Sequence, residues 1–290
     1  MIDAQHYAEV GGIRTRYFDM GSGEPIVLWH GDEFGGLASA STWNRNFTGL
    51  SQSFRVVAAD RLGQGFTDNP RQEADYTVEA VLGHMSAFIR MLHLDDRMVV
   101  VGQSRGAYFA TRFVLEHPDL AKALVIVDTA SLAPEIGDQR ERLAKLLANP
   151  PDDLREFARF RWTRMSCTTD HITDDYLDEA RTIAELPKSQ ELRHRVKALL
   201  ESTFMPSLQR QKEETLRWLD EGRLKVPTLV VWSYNDPLAV LPCGHALFDI
   251  IAKHVPESRM YIFNRSGHYP YREYPDEWNT IVTDFVKRFS

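Results

Sequence analysis

Short, fully apolar runs and longer amphipathic stretches alternate at both ends of the chain and give way to something different in the middle. Residues 6–10 and 14–19 flank Gly11-Gly12 and read as a β-hairpin. Residues 25–29 (PIVLW), 54–59 (FRVVAA), 98–101 (MVVV), 121–127 (AKALVIV), 226–232 (VPTLVVW) and 259–263 (RMYIF) predict further strands, most of them covered on both faces. Between them, residues 77–92 carry Val78, Val81, Leu82, Met85, Phe88, Ile89 and Leu92 at helical spacing. Residues 41–51, with Ser41 or Thr42 as cap, the stretch from 105 to about 117, and residues 276–289 predict the other helices of this part. From about 133 to 225 strand-like runs vanish. Charged amphipathic segments at 140–147, 152–160, 173–186, 189–202 and 212–222 replace them. That is too much helix for a simple crossover between consecutive strands. The pattern therefore predicts an α/β protein: a mostly parallel central sheet with helices on both faces, formed by residues 1–132 and 226–290, and an inserted helical cap formed by residues 133–225.

The chain is organised around residues 97–111. A buried strand runs into Gly102-Gln103-Ser104-Arg105-Gly106, a G-x-S-x-G turn, and an alanine- and aromatic-rich helix follows. A serine between strand and helix sits on a strained backbone, and the glycines remove side chains that would collide with neighbouring elements. The helix N-terminus behind it favours developing negative charge. Ser104 is thus the candidate nucleophile. It needs a base and a carboxylate to orient that base, and in folds with this elbow the chain order is Ser, acid, His. Asp236 follows the strand at 226–232, and His268 follows the last strand after the small pair Ser266-Gly267. Asp128, also at a strand end, is the rival acid, and Asp236 before Pro237 also suits a turn. The oxyanion donors expected are the backbone N–H groups of Arg105 and Asp32, with Glu33 as the alternative to Asp32. His30-Gly31 reads as loop scaffolding and His117 as a helix end. Trp162, Phe157 and Phe160 suit core packing better than a pocket.

Composition narrows the partners. The 290 residues are 43% hydrophobic and 26% charged, as in ordinary globular proteins, and the net charge of −7 disfavours nucleic acid or an anionic membrane surface. Cys167 and Cys243 stand alone, with no metal or disulfide spacing. The first residues lack a basic-then-apolar signal pattern, and no apolar run reaches membrane-spanning length, so the expected setting is cytoplasmic. The expected partner is a small-molecule substrate. Cap helices also offer apolar surface for a possible homo-oligomer.

The motifs His30-Gly31, Asp60-x-x-Gly63-x-Gly65-x-Thr67, Gly102-x-Ser104-x-Gly106, Asn235-Asp236 and Gly267-His268 stand in the order of the α/β-hydrolase superfamily, which the chain resembles over nearly its whole length. Serine at the elbow separates it from related dehalogenases and epoxide hydrolases. Within the superfamily it looks most like the meta-cleavage-product hydrolases, on the stretch from Ile172 to Arg181 (ITDDYLDEAR). That resemblance implies a cofactor-independent hydrolase, without metal, that cleaves a C–C bond in a 2-hydroxy-6-oxo-hexa-2,4-dienoate. It also implies that Arg181 holds the carboxylate end of the substrate, although the same residue is spaced to pair with Glu185 or Asp178. Gln103 stands where the family has asparagine, Tyr269 where it has tryptophan, and the early loop Gly31-Asp32-Glu33-Phe34-Gly35-Gly36 is less glycine-rich. Gln103 and Tyr269 are substrate-facing positions in the family. An ester or lactone hydrolase with the same three catalytic groups, and a hydrolase-like ligand receptor, are the alternative readings.

Overall fold

The computed structural model describes residues 4–94 and 97–289. Eight strands are found among them: β1 (Gln5–Val10), β2 (Ile13–Met20), β3 (Pro25–Trp29), β4 (Arg55–Ala59), β5 (Met98–Gln103), β6 (Ala121–Val127), β7 (Thr228–Ser233) and β8 (Arg259–Phe263). They form one sheet in the order β1-β2-β4-β3-β5-β6-β7-β8. β1 and β2 pair antiparallel, as do β2 and β4, and every later pairing is parallel. All six residues of β5 and of β7 are buried, as strands sandwiched between helix layers must be.

Alternate residues of these strands feed two cores. Val27, Val57, Val100, Ile126 and Val230 face one side, which is covered by helices Val78–Met91, Arg105–Glu116, Met205–Asp220 and Leu241–Ala252. Ile26, Val56, Val101, Val125 and Val231 face the other, against Trp43, Phe47 and helix Pro275–Lys287. Thr77 caps Val78–Met91 by accepting a hydrogen bond from the Ala80 N–H at 3.1 Å. Between β6 and β7 the described chain is helical. Helices Leu154–Arg164 and Asp174–Glu185 pack on each other over the second core, where Trp162 stacks on Tyr176 with 4.1 Å between ring centroids. Each begins at a capping oxygen, from Asp153 and Thr173 respectively. Phe157 is packed against that second core. No helix among the described residues is long and apolar enough to cross a membrane.

Three local expectations change. Residues 41–51 do not form one helix: a 3-10 turn, Ala40–Trp43, capped by Ser39, precedes a single turn, Phe47–Leu50. Tertiary partners decide this, since the Asn46 amide donates to Tyr271 O at 2.9 Å and to Asn279 Oδ1 at 3.1 Å. Residues 189–202 are divided between helices Pro187–Arg193 and Val196–Leu199 and a π-type turn, Leu200–Phe204, that runs into Met205–Asp220. Pro206 has no N–H to continue an α ladder, which accounts for the widening there. Helix Leu241–Ala252 was not marked by periodicity, because Pro242 and Gly244 interrupt it. Its Gly244 lies against the Trp232 indole, where a Cβ would collide.

One buried ion pair links the sheet to the inserted helices. Arg16 on β2 donates through Nε and Nη2 to Asp60 at 2.8 and 3.0 Å, and both side chains are essentially inaccessible. Asp60 also accepts from the Ala40 and Phe66 N–H groups at 2.6 and 2.7 Å. Arg16 Nη2 reaches Glu179 of helix Asp174–Glu185 at 3.3 Å, and Glu179 accepts from Ser39 and Ser41 at 2.6 and 2.8 Å. Removing the cation alone strands a buried carboxylate. Arg16→Met is therefore expected to lower the free energy of unfolding by about 3–5 kcal/mol, read from urea denaturation. A change near zero would show that the pair does not bear on stability.

Candidate active site

The site is assembled where the carboxyl ends of β3, β5, β7 and β8 meet. Ser104 follows β5 with φ 53° and ψ −125°, in the left-handed region that a non-glycine residue enters only under constraint. Its N–H donates to Val127 O at 2.9 Å, which ties the elbow to β6. The neighbouring glycines are sterically required. A Cβ on Gly102 would overlap Gly106 and Ala107, and a Cβ on Gly106 would overlap the carbonyls of Trp29 and His30. Arg105 is the first residue of a twelve-residue helix, so its N–H has no intrahelical acceptor.

His268 and Asp236 are joined behind the cavity. His268 Nδ1 donates to Asp236 Oδ2 at 2.6 Å, and both side chains are buried. Asp236 Oδ1 accepts from the Leu238 and Ala239 N–H groups at 2.7 and 2.8 Å, so the turn reading and the histidine-partner reading both hold for this residue. With Nδ1 protonated, Nε2 is left as an acceptor. The His268 backbone is pinned on both sides: its N–H donates to Met165 O at 2.6 Å and its carbonyl accepts from Gln103 Nε2 at 3.1 Å. Asp128, the rival acid, is engaged elsewhere. It accepts from Ser233 N–H and Oγ, each at 2.8 Å. Burial and the neighbouring Asp236 raise its pKa well above the ordinary carboxylate range.

Ser104, His268, Arg105, Asp32, Gln103 and Tyr269 line one cavity of about 90 Å³. Trp162 lines it too, and the Tyr269 ring stands edge-on to the His268 imidazole, 5.3 Å between centroids. No hydrogen bond joins Ser104 Oγ to His268 in this structure, and such contacts commonly tighten only when substrate is bound. A larger cleft of about 990 Å³ shares Glu33, Arg105, Ser131, Gln139 and Leu143 with the cavity wall.

Asp32 has φ 76°, and its carboxylate accepts from Leu37 and Ala38 N–H at 3.0 and 3.2 Å. It is met end-on by Arg161 Nη1 and Nη2 at 2.9 and 2.8 Å. Burial by itself would raise the Asp32 pKa, but Arg161 and the Ala38 and Glu33 N–H groups outweigh it and pull the value down to about 2. His30 is buried scaffolding: its Nε2 accepts from Arg61 N–H at 3.1 Å and its Nδ1 lies 2.9 Å from Gly31 O. Burial and Arg61 lower its pKa to about 3, so it is neutral. His117 ends helix Arg105–Glu116 beside Ser86.

Arg181, expected to hold the substrate's carboxylate, does not line the cavity. It lies on the outer face of helix Asp174–Glu185, its side chain 55% exposed, and donates to Glu185 at 2.9 Å. The inward face of that helix is Tyr176, Leu177, Ala180, Ile183 and Ala184, so residue 181 points away from the cavity by helical geometry alone. Arg105 and Arg161 are the arginines among the cavity's lining residues, and Arg161 comes from the neighbouring helix. Nothing in the periodicity around RFRWTR singles it out, since only the fold brings it to Asp32. Among the described residues no group of three or more His, Cys, Asp or Glu side chains is arranged to hold a metal ion.

Comparison with known proteins agrees with this architecture. Residues 24–275 match the family model described as the alpha/beta hydrolase fold. A 2-hydroxy-6-oxo-6-(2'-aminophenyl)hexa-2,4-dienoic acid hydrolase of Metapseudomonas resinovorans is 25% identical over 98% of this chain and 91% of that protein. A 2-hydroxy-6-oxo-2,4-heptadienoate hydrolase of Pseudomonas putida is 27% identical over 95% of this chain and 94% of its own. The structure of a 2-hydroxy-6-oxo-6-phenylhexa-2,4-dienoate hydrolase from a Rhodococcus strain superposes with a TM-score of 0.78 at 19% identity, covering 98% of both chains. The chain belongs to the alpha/beta hydrolase fold family, within which it resembles the meta-cleavage product hydrolases.

Proposed function

We propose that this protein is a serine hydrolase that cleaves a C–C bond in a vinylogous diketone acid of the 2-hydroxy-6-oxo-hexa-2,4-dienoate type. The observation that carries the proposal is the Asp236–His268 pair opening on the same buried cavity as the Ser104 elbow and a cavity-facing guanidinium. The full-length similarity to hydrolases named for such acids supports the choice of substrate class.

Each group has a task that its position suits. The dienol end of the substrate becomes a ketone, which provides an electron sink beside the scissile bond. Ser104 Oγ attacks the distal carbonyl and passes its proton to His268 Nε2, while Asp236 steadies the imidazolium. The N–H groups of Arg105 and Asp32 receive the oxyanion. Glu33 is the weaker alternative, because its N–H helps hold the Asp32 carboxylate. His268 then protonates the departing carbon, and water, activated by the same residue, releases the acid from Ser104. The helical block at 133–225 serves as the cap, its last helix Met205–Asp220 packing on the core helices. The cleft beside Leu143 gives the acyl group room that the inner cavity lacks.

The carboxylate end falls to Arg161 in this reading, with Gln103 and Tyr269 completing the wall. Asp32 occupies only the two terminal nitrogens of Arg161, and Nε is buried without a hydrogen-bond partner among the described residues. The Nε/Nη2 edge of the guanidinium is thus a second fork for paired oxygens.

Mixing the protein with such a dienoate should bleach the substrate's visible absorbance, and Ser104→Ala should slow turnover by at least about a thousandfold. Hydrolysis of a simple aryl ester without any bleaching would move the assignment to an esterase. In steady-state kinetics Arg161→Gln should raise KM for the dienoate by about tenfold or more while changing KM for a neutral ester little. Arg181→Ala should leave both alone. An unchanged dienoate KM in Arg161→Gln would remove Arg161 from substrate binding.

The Asp32–Arg161 pair also has a pH signature. The folded pKa of Asp32 lies below its ordinary value, so its contribution is present above pH ~4 and is lost as pH falls toward ~2. The stability gap between the native protein and Asp32→Asn should therefore narrow by about 2 kcal/mol between pH 6 and pH 2. Denaturant unfolding at both values measures it, and a pH-independent gap would mean that Asp32 is not held as a carboxylate.

A further inference from the structure

Arg61 is buried, 2% exposed, yet none of its hydrogen bonds among the described residues goes to a carboxylate. Its guanidinium is spent on three consecutive backbone carbonyls. Nε donates to His30 O at 2.9 Å, and Nη2 donates to Gly31 O at 2.7 Å and to Asp32 O at 2.8 Å. The Phe109 ring lies 4.9 Å from its central carbon. Desolvation and the nearby Arg105 lower its pKa to about 9, which leaves it charged at neutral pH. A buried cation without a bonded counter-ion is costly, and the loop could be held by neutral donors. The charge itself therefore calls for a use.

The loop it grips is the one that carries the Asp32 N–H. The Gly31 carbonyl and the Asp32 N–H belong to one peptide unit, and no cis peptide occurs among the described residues. In a trans peptide these two groups point in opposite directions. A cation on the Gly31 oxygen therefore lies behind the plane when the N–H faces the cavity. It draws electron density through the amide resonance, which makes that N–H a stronger donor, and its two neighbouring bonds fix the plane with Asp32 at φ 76°.

We propose that Arg61 is a positioning residue of the reaction, which polarises the Gly31–Asp32 peptide and holds it as an oxyanion donor. The inference rests on the serine-hydrolase reading above, but not on the choice between a C–C bond and an ester. A small fluorophosphonate tests it without a substrate. Ser104 Oγ forms the new bond to phosphorus, its proton goes to His268, fluoride leaves, and the phosphonyl oxygen occupies the place of the oxyanion. The native protein is expected to be labelled at Ser104. Arg61→Met, verified as folded by circular dichroism, should be labelled about tenfold or more slowly. Arg61→Lys, which keeps the charge but cannot span three carbonyls, should fall between them. Arg61→Ala should regain rate saturably with added methylguanidinium, a response that a purely structural role does not produce. Equal labelling rates for native and Arg61→Met, or a loss in all three variants that follows unfolding and resists methylguanidinium, would overturn the role of Arg61 while leaving the hydrolase reading intact. Absence of Ser104 labelling in the native protein would instead overturn the hydrolase reading, and this inference with it.

Discussion

The close approach of helix Arg105–Glu116 to the ends of β3 and β5 is the constraint on which the site depends. Gly106 lies against the Trp29 and His30 carbonyls, and Gly102 against the first turn of the helix. Any side chain at either position would push the helix away from the sheet. That distance brings the loop after β3 beside Ser104, aims the first N–H groups of the helix at the cavity, and leaves Ser104 in a left-handed conformation. The strain is sustained because β6, through Val127 O, holds the other side of the turn.

Around that turn the molecule buries several charged groups, and each instance is organised differently. Arg16 and Asp60 neutralise one another beneath the site and extend to Glu179, so the inserted helix Asp174–Glu185 is keyed to the sheet by hydrogen bonds as well as by apolar packing. Asp32 and Arg161 form a second pair that bridges the loop after β3 to helix Leu154–Arg164. Asp128 lies near Asp236, and burial together with that neighbouring carboxylate raises the Asp128 pKa well above the ordinary range. Asp236 is held by two backbone donors and by His268. The Arg61 guanidinium differs from all of these in that its hydrogen bonds among the described residues go to backbone carbonyls.

The chemistry proposed here distributes over both parts of the chain. The sheet edge supplies the nucleophile, the base and the oxyanion donors, and the inserted helices supply Arg161, Trp162 and Tyr176 to the opposite wall. Met165 O accepting from the His268 N–H makes the connection direct, since the segment after helix Leu154–Arg164 holds the backbone of the catalytic histidine candidate.

Much of this was legible from the chain alone, wherever a property is local. Strands sandwiched between helices must be apolar at every position, so the parallel strands read as continuous runs. The elbow must carry glycines beside Ser104, so its motif is visible. Asp236 and His268 follow strands in an order that the fold imposes. Properties that depend on which face of a helix meets which loop were decided only by the tertiary structure. Arg181 and Ala180 are adjacent in sequence but some 100° apart around the helix, and packing turned Ala180 inward and Arg181 to solvent. Arg161 acquired its place from Asp32, 129 residues away, and Arg61 acquired its three acceptors from a loop about 30 residues upstream. The helix expected at 41–51 was broken by partners beyond residue 270. Composition and periodicity record how much surface an element buries. They do not record the partner against which a particular polar group is buried, and that partner fixes its charge, its direction and its part in the site.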